Sequence, residues 1–184
     1  MYTTIDELMA EARRNSAFPG TPRISRGKTE LSVSIETRLK ELGIELPAAA
    51  APAANYVPFL RSGNLLLTAG QLPLAGGKLV AQGLLGRDLD TETGKLAARQ
   101  CAINVLAQVK AATGDLEKIA KLVKITVFVA STPDFTEQHL VANGASDLLA
   151  EALGARGMHA RSAVGVASLP LGAPVEVEAI VELV

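Results

Sequence analysis

The alternation of apolar and polar residues is clearest at the C-terminal end of the chain. From Val175 to Leu183 every odd position is apolar, whereas most even positions are glutamates. A period of two residues is typical of a strand with one buried face. A second β-favouring run occupies residues 161–169, and the turn-rich sequence LPLGAP ends it. We therefore predict that the two strands form a hairpin that brings Arg161 near Glu176.

The same patterns predict further strands and two long helices upstream. Apolar residues that recur at helical spacing, followed by a glycine, predict the first long helix. Proline just after a threonine marks the start of the second. The predicted elements are a strand at 64–70, a hairpin at 74–80 around Gly76 and Gly77, a helix at 95–113 ended by Gly114, a strand at 122–129 with Val123, Ile125, Val127 and Val129 on one side, and a helix from Thr132-Pro133 to Leu153. This order predicts an α+β fold, with two helices packed on one face of a small mixed sheet.

The N-terminal part of the chain differs in composition from the rest. Residues 1–30 include a short capping-box helix and, from residue 15 to 29, a basic segment rich in Pro, Gly and Ser, so we expect a flexible extension. Residues 31–51 predict a short helix, capped by Ser34 and ended by Gly43, followed by an extended connector. Residues 52–184 then form the folded α+β domain.

Composition excludes several classes of function. The net charge of −1 and the pI near 6.1 provide no general attraction for nucleic acid or for an anionic membrane. Cys101 is the only cysteine, so the chain forms no internal disulfide. Only two histidines are present, without metal-binding spacing, so we expect no metal. The apolar runs are too short to cross a bilayer, and we expect a soluble, cytoplasmic protein.

Two interpretations of the predicted neighbours Arg161 and Glu176 remain open. In the first, Arg161 and Glu176 form an ordinary ion pair that contributes little to stability; this is the commoner case, since structural ion pairs outnumber catalytic ones. Alternatively, Arg161 holds a ligand carboxylate through two parallel hydrogen bonds, and Glu176 acts as the acid or base beside it. Glu178 shares the face of Glu176 and is explained equally well by an ion pair.

Several motifs together resemble the Rid family, also called the YjgF family, which is related in fold to the Bacillus-type chorismate mutases. The resemblance extends from about residue 52 to residue 184. The matching segments are Tyr56, LTAGQLP at 67–73, VKITVFV at 123–129, Asn143, ARSAV at 160–164, Leu169-Pro170 and VEVEA at 175–179. Because these motifs agree in order as well as in sequence, the resemblance is specific.

The resemblance implies a homotrimer with a barrel-like core and a ligand site in each cleft between subunits. Active members hydrolyse 2-imino or enamine acids, such as 2-iminobutanoate and 2-iminopropanoate, to 2-oxo acids and ammonia without a metal or an organic cofactor. By resemblance, Arg161 holds the carboxylate, Glu176 activates the water and Tyr56 belongs to the catalytic set. Substrate-binding positions are implied at Gly70, Ala163 and Asn143.

The sequence departs from the family pattern at Ala163, where many members carry cysteine. A thiol role is therefore excluded at this position, whereas a backbone contact is retained. Two alternatives to the deaminase remain: a noncatalytic trimer that binds small carboxylates or a partner protein, and an endoribonuclease, which the charge and the six aromatic residues support poorly. Packing explains Cys101 best, and a solvated surface position explains His139 and His159 best.

Overall fold

A five-stranded mixed sheet organises the part of the chain that this computed structural model describes, residues 33–51 and 54–184. Its strands are β1 (Phe59–Ser62), β2 (Leu65–Thr68), β5 (Ile119–Ala130), β6 (Ala160–Val166) and β7 (Val175–Leu183), in the spatial order β1-β2-β7-β5-β6. The strands β3 (Leu74–Ala75) and β4 (Lys78–Leu79) form the separate hairpin that Gly76 and Gly77 predict. The N-terminal helix and the basic segment predicted within residues 1–30 lie outside the described residues.

Two long helices cover one face of the sheet, as predicted. The helices are α1 (Ile35–Glu41), α2 (Thr91–Thr113), α3 (Gln138–Val141) and α4 (Asn143–Leu153), with 3₁₀ turns at Leu116–Lys118, Gly154–Gly157 and Pro170–Gly172. Helix α2 begins four residues earlier than predicted because the side chain of Asp90 accepts a hydrogen bond from the Thr93 N–H at 2.8 Å. It ends at Gly114, whose φ of 73° suits glycine.

The core lies between the sheet and helices α2 and α4. The odd positions of β7 that the sequence pattern assigns to a buried face are all buried. Helix α2 contributes small buried side chains to this core, among them Ala97, Ala98 and Ala102, and small side chains allow close packing of neighbouring elements. Each large apolar side chain in this core stabilises the fold by about 1.5–3 kcal/mol.

Helix α1 joins the same core through Ile35 and Leu39. Its first turn is fixed by Glu117, whose carboxylate accepts a hydrogen bond from the Ile35 N–H at 2.6 Å. Arg156 pairs with the other oxygen of Glu117 at 2.8 Å, and these hydrogen bonds, that of Arg156 first, lower the pKa of the carboxyl. Ser34 caps α1 as predicted. The division of the chain at residue 51 remains a prediction.

The predicted hairpin between β6 and β7 is wrong. Strand β5 lies between them, antiparallel to β7 and parallel to β6. Arg161 is opposite Ile125 of β5, whereas Glu176 is opposite Phe128. The turn-rich segment between the two strands therefore carries the chain across a neighbouring strand rather than directly back, which the local pattern cannot distinguish.

Two local predictions, the burial of Val123 and the helix start at Thr132-Pro133, are also wrong. Val123 is exposed, because register shifts in β5 place Leu122 on the buried side instead. The helix predicted at Thr132-Pro133 starts only at Gln138. Residues 132–135 form a turn in which the Phe135 N–H bonds to the Thr132 carbonyl at 3.2 Å, so Pro133 serves a turn rather than a helix.

Helices α2 and α4 approach so closely at Gly144 that any side chain there would overlap the backbone carbonyl of Lys95. Alanine normally stabilises a helix relative to glycine, by about 1 kcal/mol. We expect the opposite for Gly144→Ala, a loss of about 2–4 kcal/mol, because two backbones must separate. Urea unfolding measures this change. Glu151→Ala, at an exposed position of the same helix, is the control, and equal stability of Gly144→Ala and the unsubstituted chain would contradict the expectation.

Candidate active site

The guanidinium of Arg161 is held by three acceptors from helices α3 and α4. One nitrogen, Nη1, donates to Asn143 Oδ1 and to Ser146 Oγ, both at 3.0 Å. The other, Nη2, donates to the backbone carbonyl of His139 at 3.1 Å. A charged donor with several fixed acceptors keeps one orientation, so the strand and the helices together determine where this cation points.

Two of the five N–H donors of Arg161 have no acceptor among the described residues. They are the Nε–H and one hydrogen of Nη2. Because neighbouring N–H groups of a guanidinium match the two oxygens of a carboxylate, this arrangement suits bidentate binding of a small acid. The side chain is half-buried, which strengthens such an interaction relative to a fully solvated pair.

Glu176 lies on the other face of the sheet, against Gly70. A Cβ on residue 70 would overlap the Glu176 carboxylate, so the glycine provides the space that this carboxylate occupies. Burial, and then the charge of Glu178 two residues along the strand, raise the pKa of the Glu176 carboxyl. A raised pKa makes a carboxylate a stronger base, which favours a group that must take up a proton and later release it.

A small cleft of about 70 Å³ adjoins Gly70, and Tyr56 forms part of its wall. Its floor contains the buried amides of Gln71 and Gln108, which contact each other at 3.3 Å. The Gln108 Oε1 atom is buried without a hydrogen-bond partner among the described residues. Tyr56, Gly70 and Glu176 thus form one group of the predicted site residues.

Arg161, Asn143 and Ala163 form a second group. Asn143 begins α4 and bonds to Arg161, and Ala163 lies two residues beyond Arg161 on the edge strand β6. The two groups do not meet within one chain. In the strand registers, Arg161 aligns with buried Ile125 on the helix side, whereas Glu176 aligns with Phe128 on the open side. An ion pair between Arg161 and Glu176 of one chain is therefore excluded.

The structure also places the residues that sequence analysis assigned to packing or to the surface. Cys101 is fully buried, and burial followed by the Glu176 charge raises the pKa of its thiol well above the usual value. His139 is exposed, as predicted. The surface assignment of His159 is wrong: the ring is half-buried and bonds to Ser146 and to the Gly157 carbonyl.

Sequence analysis missed Ser146 and Gln108. Ser146 follows Asn143 by three residues, a spacing that places both side chains on one side of a helix, but the signal is usable only once the start of α4 is known. Gln108 lies at a buried position of α2, and a glutamine within an apolar helical face is the pattern that indicates it. Within residues 33–51 and 54–184 there is no cluster of three or more potential metal-binding side chains.

Gly70→Ala tests the contact between Gly70 and Glu176. The backbone at residue 70 lies outside the left-handed region, so alanine is tolerated there, and the obstructing atoms are the mobile end of Glu176. We expect the free energy of unfolding to change by about 1 kcal/mol or less. The Glu176 carboxylate should move, so kcat/KM for any reaction that uses this carboxylate should fall about 10- to 100-fold. Steady-state kinetics measure the loss. In a Glu176→Gln background the same substitution is expected to cause no further loss, and an additive effect would contradict a shared cause.

The fold and the site define an α+β protein of the chorismate mutase-like type. A family model described as "YjgF/chorismate_mutase-like, putative endoribonuclease" matches residues 36–183. The chain belongs to this YjgF family, the Rid family of the sequence resemblance. Among the described residues, no helix is long and apolar enough to cross a membrane.

The chain is also similar to individual relatives and solved structures. Protein TCP17 of Trypanosoma cruzi is 53% identical over 152 residues, which cover 81% of this chain and 94% of the relative. The crystal structure of Atu1372 from Agrobacterium tumefaciens, a protein of unknown function, is 59% identical with a TM-score of 0.77 and covers 82% of this chain and 92% of that one. The structure of E. coli TdcF with bound serine is 27% identical with a TM-score of 0.55, over 74% of this chain and 94% of that one.

Proposed function

We propose that the protein hydrolyses reactive 2-imino acids, and the enamines in equilibrium with them, to 2-oxo acids and ammonia. The observation that carries the proposal is the Arg161 guanidinium, fixed by three acceptors with two N–H donors left for a carboxylate. A 2-imino acid has a carboxylate next to its C=N carbon, so holding the carboxylate also positions the reacting carbon.

We propose that the site is completed by a second copy of the chain in a homotrimer. The open face of the sheet exposes a row of apolar side chains that a neighbouring subunit would cover: Leu60, Leu65, Leu67 and Val164. Such a patch marks an association surface in soluble proteins. Since Arg161 and Glu176 lie on opposite faces of one chain, pairing copies allows the arginine of one subunit to serve the glutamate of the next.

In the proposed reaction, Glu176 takes a proton from a water molecule as the water oxygen bonds to the C=N carbon. Glu176 then delivers this proton to the imine nitrogen, and the product is a tetrahedral amino alcohol that retains the carboxylate on Arg161. In the second step Glu176 takes the proton of the alcohol hydroxyl and gives it to the amino nitrogen, so that the C–N bond breaks, ammonia leaves and the C=O bond of the 2-oxo acid forms. One carboxyl group of raised pKa serves both transfers, and the scheme needs no metal or organic cofactor.

A noncatalytic carboxylate-binding role is the second candidate. The observation that favours it is the serine bound to TdcF, since an amino acid carries the same carboxylate without a C=N bond to hydrolyse. An endoribonuclease, which the family description names, is the least supported role, because a chain of net charge −1 offers little binding surface for phosphate. Cytoplasmic location stays a prediction.

The proposal is tested by generating 2-imino acids in place with an amino-acid oxidase and following 2-oxo acid formation. Semicarbazide competes for the imine. If the protein is a deaminase, less semicarbazone forms as the concentration of the protein is raised. The double variant Arg161→Ala/Glu176→Gln, purified identically, controls for contaminating activity. No acceleration over spontaneous hydrolysis for any side chain would contradict the deaminase and favour the binding role. Light scattering tests the trimer.

A further inference from the structure

His159 and Ser146 connect Arg161 to a fixed backbone carbonyl through an unbroken series of hydrogen bonds. Arg161 Nη1 donates to Ser146 Oγ at 3.0 Å, and Ser146 Oγ lies 3.0 Å from His159 Nε2. The other ring nitrogen, Nδ1, lies 2.6 Å from the carbonyl oxygen of Gly157. Strand β6, helix α4 and the turn between them each contribute one part of the series.

The direction of each hydrogen bond follows from the end of the series. A carbonyl oxygen only accepts, so Nδ1 of His159 carries the hydrogen that it donates to Gly157. In the neutral ring Nε2 then has a free lone pair and accepts from the Ser146 hydroxyl. Since the serine gives its only hydrogen to His159, its oxygen is left to accept from Arg161. The histidine therefore determines the orientation in which the serine meets the guanidinium.

The turn that provides the Gly157 carbonyl is tightly packed. A side chain at residue 157 would overlap the backbone carbonyl of Leu149, so the turn is packed directly on the last part of α4. The same turn carries Arg156, which bonds to the carboxylate of Glu117 and to the carbonyl of Ile119. A ring held by such a turn has little freedom to rotate, and its hydrogen bond to Ser146 keeps that geometry.

We propose that Ser146 and His159 are positioning residues that, with His159 in the Nδ1–H tautomer, aim the unused donors of Arg161 at the substrate carboxylate. The kinetic consequence of this inference rests on the proposed function. Neither residue touches the reacting atoms; each acts through Arg161. Loss of either is expected to weaken carboxylate binding in ground state and transition state alike, so KM rises while kcat changes little.

The kinetic test compares Ser146→Ala, His159→Leu and His159→Gln. We expect KM for a 2-imino acid to rise roughly 5- to 10-fold in the first two, with kcat within about twofold. Glutamine at 159 places an amide oxygen near the position of Nε2, so His159→Gln should recover KM to within about threefold. Asp147→Asn, an exposed neighbour on α4, is the matched control and should leave KM and kcat unchanged.

Two further measurements are independent of turnover. Calorimetric titration with pyruvate, a 2-oxo acid, should show the same ranking of dissociation constants even if no imine is hydrolysed, which separates failure of this inference from failure of the deaminase. Nitrogen NMR of the His159 ring should show a protonated Nδ1 and an unprotonated Nε2. Unchanged pyruvate binding in both Ser146→Ala and His159→Leu, or a hydrogen on Nε2 in the neutral ring, would overturn the inference.

Discussion

Glu176→Gln is expected to lower kcat/KM for 2-imino acids by about a thousandfold, within the range that general acid–base catalysis contributes. Glutamine keeps the size of the side chain and its place against Gly70, but it can neither take a proton from water nor return one to nitrogen. Because the carboxyl group acts in both steps, the loss should appear mainly in kcat. Initial rates at saturating imine measure it, and Glu182→Gln, at an exposed position of the same strand, should retain full activity.

The same substitution should not weaken the fold at neutral pH. Burial and Glu178 raise the pKa of Glu176 in the folded chain, so folding favours its protonated form. Ionisation of Glu176 therefore costs stability as the pH rises through this raised pKa, and the cost is absent at acidic pH, where the group is protonated in both states. Near pH 7 the unfolding temperature of Glu176→Gln should equal or exceed that of the unsubstituted chain. The difference between the two unfolding temperatures should become smaller toward acidic pH. Lower stability together with lost activity would indicate a structural role instead.

Arg161→Ala is expected to reduce kcat/KM by about two to three orders of magnitude, mostly through KM. The substitution removes the cation that binds the carboxylate, and it also leaves Asn143 and Ser146 without the donor that they share. Arg161→Lys restores the charge but not the planar set of donors, so we expect it to recover no more than about a tenth of the lost activity. Kinetics over a range of imine concentrations, with thermal unfolding of each variant, measure both effects.

Two outcomes would contradict this role of Arg161. Full activity of Arg161→Lys would mean that charge alone is sufficient and that the fixed geometry has no function. An unchanged KM in Arg161→Ala with a lower kcat would place the arginine in the chemical step rather than in binding. Arg61→Lys, at an exposed arginine of β1 whose Nε bonds to the nearby Gly63 carbonyl, is the matched control.

The fold class was predictable because a strand or helix that buries one face carries apolar residues at a regular spacing, which can be read from the sequence. β7 shows this most clearly, since each buried position alternates with a polar or half-buried one. β1 was missed because three of its four residues are exposed, so no alternation marks it. The β6–β7 hairpin was wrong for a different reason: pairing partners depend on the whole sheet, and a turn-rich segment fits both a return and a crossover.

The site was predictable only as a set of residues. The strand pattern singled out Arg161 and Glu176, the resemblance added Tyr56, Gly70, Ala163 and Asn143, and the roles of all six remain proposals. Which of them lie together depends on strand order, and the order places Arg161 and Glu176 on opposite faces. The partners of the Arg161 guanidinium come from helices α3 and α4, which the sequence pattern predicted as a single helix starting at Thr132, and that pattern did not indicate which of its residues would face Arg161.

The short turn Gly154–Gly157 between α4 and β6 has an evolutionary consequence. Surface connections usually vary in length among relatives, because insertions there disturb little. Here the number of residues fixes how far Asn143 and Ser146 on the helix lie from Arg161 on the strand, and the turn itself provides the carbonyl that orients His159. An inserted or deleted residue would shift all of these contacts together. In relatives that share this arrangement, the length of the segment should be preserved even where its sequence drifts.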